Sequence, residues 1–240
     1  MSIESHRSTP ARRGPTSRKS ATATPGLTPA RIIGAALALV AEDGLAAFST
    51  RKLGQRLGCE AMSIYHHFPN KHHLLDAMVD HAIASIEPTP AGLAPMDRLR
   101  HLLHAYRAMA NRFPALYPLI AVHRLNTPTG VGMIESVLGL ISDVVPDAEL
   151  TARHFRAVGY YITGAALDET SGYARGPSAA EPVSDAYVAE HCPLLAACAP
   201  FFRTAHWSAT YELGLDALLT RIEADAAALA AARKRRKAGS

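Results

Sequence analysis

Apolar residues recur at spacings of three and four from Thr28 to Ile222, and no segment of strand length alternates apolar with polar positions. The pattern predicts an all-α protein. The first helix is expected to open at Thr28-Pro29, an N-cap followed by proline at the first helical position, and to end at Gly44. Its broad apolar face carries Ile32, Ile33, Ala36, Leu37, Leu39 and Val40. Ser49 caps a short basic helix with Phe48 and Leu53 at the staple positions, Leu53 and Leu57 on one face, and Gly58 as a terminator able to take positive φ. The next helix begins at Glu60 or Ala61 and stops by Phe68, because Pro69 disfavours the α conformation in the residue before it. This is a helix-turn-helix, with the first helix packed under Leu53, Leu57 and Ile64. Asn70 caps a fourth helix, on which Leu74, Leu75, Met78, Val79, Ala82, Ile83 and Ile86 keep helical spacing up to Pro88.

The Pro-Thr-Pro-Ala-Gly stretch at 88–92 marks a boundary, giving a unit over 28–87 and a larger helical one over 93–230. In the larger unit, helices are predicted over 95–112, 114–125, 128–145 and 148–173. A polar loop, a short piece at 185–191 and a long last helix from about 200 past 222 follow. That last helix carries Phe202, Ala209, Leu215, Leu218, Leu219 and Ile222 along about 45 Å, more apolar face than one neighbour covers. With the 148–173 helix it reads as a dimer surface forming a four-helix bundle; two core helices of a monomer are the alternative.

Charge changes the picture through its distribution. The net charge of +4 is carried by the ends: Arg7, Arg12, Arg13, Arg18 and Lys19 against Glu4 near the N-terminus, and the basic run Arg233–Lys237 in the tail at 231–240. Without them fifteen positive and twenty negative residues remain, so the body is mildly acidic and suits a polyanion binder with localised basicity. Residues 1–27 lack the apolar side chains that would offset ordering and are expected to form a disordered basic arm. Three cysteines argue against a disulfide framework. The apolar run at 32–41 is bounded by Arg31 and Glu42-Asp43-Gly44 and sorts onto a helical face, unlike a secretory leader or a membrane span. A cytoplasmic protein with no membrane partner is expected.

The stretch S-T-R-K-L-G-Q-R-L-G from Ser49, the I-Y-H-H-F-P-N-K from Ile64 and the preceding E-D-G at Glu42 resemble the TetR family of transcriptional repressors. The resemblance covers about fifty residues closely. It implies an N-terminal three-helix helix-turn-helix unit and a helical ligand-binding and dimerisation domain. It also implies a homodimer on a palindromic operator, released by a small-molecule effector, with no enzymatic activity and no resident cofactor. In a motif of this kind the N-terminal part of the recognition helix enters the major groove, so Ala61, Met62 and Ser63 are expected at base edges. Arg51 matches a position that reaches a base, with guanine as its natural target. Thr50, Tyr65, His66, His67 and Lys71 match phosphate contacts; Tyr65 and His67 are alternatively partly core. Glu60 stands where Ser or Thr is commoner.

Two later segments, A-V-G-Y-Y-I-T-G-A-A-L-D ending at Asp168 and L-G-L-D-A-L-L from Leu213, resemble the tetracycline-repressor subgroup. By that resemblance His123, with Thr127-Pro128 after it, matches a magnesium-binding histidine, and Asp168 an acid contributed near the metal by the partner subunit. Tyr106 matches a pocket aromatic. Leu102 replaces a ligand-binding asparagine and Glu87 a ligand-binding histidine, so the resemblance does not extend to tetracycline itself. His123 and Asp168 are otherwise a helix-end histidine and an interface carboxylate. The rival reading is an α-helical enzyme or metal protein using His101, His104, His123 and Asp168, or a metal site built from His66-His67, His72-His73, Asp76 and Asp80. No Ser-His-Asp, P-loop or H-E-x-x-H arrangement supports it.

Overall fold

A computed structural model describes residues 26–171 and 178–238, and these are helical throughout apart from their connections. The chain runs α1 (Pro29–Asp43), α2 (Thr50–Leu57), α3 (Ala61–Tyr65), α4 (Lys71–Ala84), α5 (Pro95–Arg112), α6 (Tyr117–Val122), α7 (Pro128–Ser142) and α8 (Ala148–Ser171). Beyond the undescribed residues lie α9 (Asp185–His191), α10 (Pro193–Cys198), two 3-10 turns and α11 (Trp207–Ala238). Most of the basic arm falls outside the described residues, as do the end of the predicted 148–173 helix and the start of the polar loop.

The predicted starts hold because capping is local. The side chains of Thr28, Ser49, Asn70 and Thr127 each accept from a backbone N–H in the first turn of the helix that follows. Gly44 and Gly58 close α1 and α2 at φ 78° and 69°, a region open to glycine without strain. Ile32, Ala36, Leu39 and Val40 of α1 bury against Phe48, Leu53, Ile64, Leu74 and Met78, forming the core under the helix-turn-helix.

Several boundaries are tighter than expected or shifted, including α7, which ends at Ser142 rather than 145. The third helix ends at Tyr65, so His66 and His67 belong to the turn that leads to Pro69. The segment predicted over 114–125 shortens to α6, with a turn before it closed by the Leu116 and Tyr117 N–H groups on Phe113 O. The last helix begins at Trp207 rather than near 200, because Ala199–Phe202 and Thr204–His206 form 3-10 turns. That helix then continues to Ala238, so the basic residues 233–237 end a helix instead of forming a separate tail.

α5, α7, α8 and α11 pack around the continuation of the same buried cluster, which includes Leu99, Leu103, Met109, Tyr117, Ile141, Val158, Leu215 and Ile222. Part of the apolar face assigned to a dimer surface is therefore internal: Leu215, Leu219 and Ile222 are buried within one chain. Phe202 lies outside α11 and, like Leu194 and Phe201, is exposed. Across α8 and α11, His154 Nε2 lies 3.1 Å from Asp225 Oδ2, and the Tyr161 hydroxyl donates to Tyr211 O at 2.6 Å.

Candidate functional site

The helix-turn-helix is held by contacts that sort its cations. Arg56 pairs bidentately with Glu42 at 2.5 and 2.7 Å, and Lys52 with Asp43 at 2.9 Å, so the end of α1 takes two basic side chains of α2. The Arg56 bonds hold the Glu42 carboxyl below its ordinary range. Arg51 has no ion pair among the described residues and is exposed. The E-D-G turn thus leaves Arg51 as the cation of α2 available to an external acceptor. Thr50 and Tyr65 share a hydroxyl hydrogen bond of 3.1 Å, which ties the start of α2 to the end of α3. Met62 is 64% exposed, Ala61 and Ser63 are half-buried, and Ile64 beneath them is fully buried. Glu60 occupies the N-cap of α3 without a side-chain capping bond. His66 and His67 are exposed. Lys71 Nζ donates to Phe48 O at 3.1 Å and lies over the Phe48 ring, so α4 is anchored to the loop before α2.

The expected effector residues meet only in part. A cavity of about 340 Å³ lies among α5, α6, α7 and α8, and Leu102, Tyr106 and His123 line it. Its wall is otherwise largely apolar, including Leu103, Leu125, Met133, Val137, Phe155 and Ile162. Thr127 is not part of the lining; its hydroxyl donates to Asp80 Oδ1 at 2.5 Å while also capping α7 by accepting from Gly130 N at 3.1 Å. Asp168 lines a different cavity, of about 420 Å³, with Tyr160, Tyr161, Trp207 and Tyr211. Within one protomer Asp168 and His123 do not share a pocket.

His123 Nε2 instead lies 3.2 Å from Asp76 Oδ1 on α4. Asp76 and Asp80, one turn apart, therefore both bind the α6–α7 connection and leave His72 without them. Sequence reasoning missed this link; its only signal was two acids at helical spacing. Thr127→Val, which deletes both the cap and the Asp80 contact, is expected to cost about 1–2 kcal/mol in denaturant unfolding. A loss below about 0.3 kcal/mol would show that neither bond matters.

The residues of the rival reading are dispersed. His104 Nε2 lies 3.2 Å from Glu212, and the Nε2 of His101 is buried without a hydrogen-bond partner. His73 Nδ1 lies 2.9 Å from Asn70 Oδ1. Among the described residues no three His, Cys, Asp or Glu side chains are grouped to hold a metal ion.

Comparison with known proteins divides the chain at the same place. Residues 32–78 match the family model described as "Bacterial regulatory proteins, tetR family", and residues 93–226 match "Tetracyclin repressor-like, C-terminal domain". The chain belongs to the TetR family. Members are transcriptional regulators, not enzymes, and combine a helix-turn-helix with a helical ligand-binding domain. Among relatives, the class A tetracycline repressor of Escherichia coli transposon 1721 is 28% identical over 195 residues, 80% of this chain and 89% of that one. The repressor DrrR1 of Streptomyces coeruleorubidus is 31% identical over 149 residues, 60% of this chain and 54% of DrrR1. A possible TetR-family regulator from Streptomyces coelicolor superposes with a TM-score of 0.69 at 25% identity, covering 82% of this chain and 99% of that one. The S. coelicolor protein ActR, in complex with actinorhodin, shares the fold at a TM-score of 0.66 and 24% identity, over 82% and 96% of the two chains. In this TetR-family chain, no described helix is long and apolar enough to cross a membrane.

Proposed function

We propose that this TetR-family protein is an effector-responsive repressor that binds a near-palindromic operator as a homodimer. Residues 28–87 act as its DNA-binding domain and 93–230 as its effector-binding and dimerisation domain. The observation that carries the reading is the continuous route from cavity to DNA-binding unit. His123 is a wall residue of the cavity, its ring binds Asp76 of α4, and α4 begins at Lys71, which holds Phe48 O beside α2. A ligand that moves His123 pulls on α4, which is anchored to the loop before α2 and follows the reader α3 in the chain. To release the operator it must prefer the released arrangement, and a coupling of about 1–3 kcal/mol is typical of such linkage. The actinorhodin complex of ActR supports a small-molecule effector.

Arg51, Ala61, Met62 and Ser63 read bases in this proposal, and Thr50, Tyr65, His66, His67 and Lys71 position the phosphates. Leu102, Tyr106, His123 and Thr127 serve the effector site, with Asp168 supplied across the dimer. The dimer forms through α8 and α11, where Tyr160 and Leu213 remain exposed at 66% and 74%. Two copies then present two readers at a spacing that matches operator symmetry. In mobility-shift assays on a selected operator, Arg51→Ala is expected to cost about 1–3 kcal/mol and to relax preference at one guanine. Tyr65→Ala should weaken all sequences alike. If both variants bind like the parent, the assignment is wrong.

A further inference from the structure

The polar groups of the α5–α8 cavity are few, and their charge is one-sided. Its lining holds no carboxylate, one imidazole and one guanidinium. The imidazole, His123, is turned to Asp76. The guanidinium, Arg156, is exposed and borders both this cavity and an outer groove lined by Glu149, Arg153 and Tyr160; its Nε donates to the Tyr160 hydroxyl at 2.8 Å and the group lies 5.1 Å from that ring's centroid. A neutral tyrosine therefore fixes its position without neutralising its charge, and no acid among the described residues pairs with it. Farther along α8, Thr163 hydrogen-bonds with Tyr106 and Tyr117, whose hydroxyls are 3.2 Å apart. Burial pushes both phenols up, so this end of the cavity stays neutral. Arg156 and Thr163 are seven residues apart on one helix, about 10 Å along its axis.

We propose that the effector is an amphiphilic organic anion, with an apolar, largely aromatic-sized body of about 10 Å and an acidic group held at the rim by Arg156. The inference rests on reading this cavity as the effector site. An anion drawn out of water into an apolar pocket loses hydration, and a charge-assisted, bidentate-capable guanidinium is the group that restores it. Within one protomer's lining, a cationic ligand would meet Arg156 with no carboxylate to answer it. The magnesium ion implied by the tetracycline-repressor resemblance does not fit the lining of one protomer. Magnesium takes oxygen ligands, chiefly carboxylates and water, whereas this lining offers no carboxylate, the Nε2 of its one imidazole lies against Asp76, and Asp168 lies in the other cavity. Arg156 supplies the positive charge in its place.

The test uses two fluorescent probes of nearly equal apolar body, anilinonaphthalene sulfonate and the neutral phenylnaphthylamine, titrated into the full chain in EDTA. The sulfonate is expected to bind one per chain, on the order of tenfold more tightly than the amine. Arg156→Gln should remove that preference and leave the amine unchanged. Gly159→Phe should remove the one-per-chain component of both, because Gly159 lines the cavity and a Cβ there meets nothing within 4 Å. Gly159→Leu replaces it if the larger side chain disturbs helicity. Equal affinities for the two probes, sulfonate binding untouched by Arg156→Gln, or binding that appears only with added Mg²⁺ would each overturn the anion proposal while leaving the cavity as a binding site. Full retention of both probes by the cavity-filling variants would instead remove the effector site itself.

Discussion

Gly54→Ala is expected to lower stability by about 1–3 kcal/mol and to weaken operator binding by roughly tenfold or more. The residue lies inside α2 and is buried, and Cys59 N donates to its carbonyl at 2.9 Å. A Cβ there would stand 2.7 Å from Cys59 O and 3.3 Å from Ala61 N. Both obstacles are backbone, so no rotamer change relieves them. The turn between α2 and α3 must move instead, carrying Ala61, Met62 and Ser63 out of register with Arg51. In most helices the same substitution would help by about 1 kcal/mol, since glycine is the poorer helix former. The sign of the effect therefore reports the close approach. Gln55→Ala, on the exposed neighbour, is the control. If Gly54→Ala binds the operator within about twofold of the parent and melts no lower, the turn does not depend on that contact.

Arg107→Ala is expected to cost about 3–5 kcal/mol, the usual result of stranding one member of a buried ion pair. In a chain of this size that corresponds to a fall in melting temperature of roughly 6–20 °C. Arg107 of α5 grips Glu169 of α8 through Nε at 3.0 and 2.9 Å and Nη2 at 2.7 Å, and its guanidinium stacks 4.5 Å from the Tyr211 ring centroid on α11. Three helices meet at one cation. Glu169 is 5% exposed, and its remaining partner is Asn111 Nδ2 at 3.0 Å. Replacing both members with apolar residues, Arg107→Met with Glu169→Leu, should be much milder than the single change, because no charge is left buried. Two variants of equal stability would show that the pair contributes packing rather than charge.

These two effects mark the limit of what the chain discloses when read along its length. Gly54 offered one signal, a glycine inside a short helix, where its cost implies a packing reason. Arg107 and Glu169 offered none: they are 62 positions apart and resemble solvated helix residues. The helix-turn-helix was legible because Ser49, Gly58, Pro69 and Asn70 fix the motif's frame. The residues expected at an effector site were brought together only in part. Tyr106, Leu102 and His123 line one cavity, while Asp168 falls in another, and nothing in the sequence marked Arg156 as a neighbour of the first.

What the sequence determined alone is the course of the chain: an all-α protein, its capped helix starts, its helix-turn-helix and its TetR family. Capping side chains, prolines and positive-φ glycines act within a few residues, so a linear reading captures them. Tertiary structure decided the rest. It ended α3 at Tyr65, delayed α11 to Trp207, folded Leu215, Leu219 and Ile222 into the chain's own core, and turned His123 to Asp76. Those outcomes depend on which faces meet across long separations, and neither periodicity nor propensity records the partner a side chain will find.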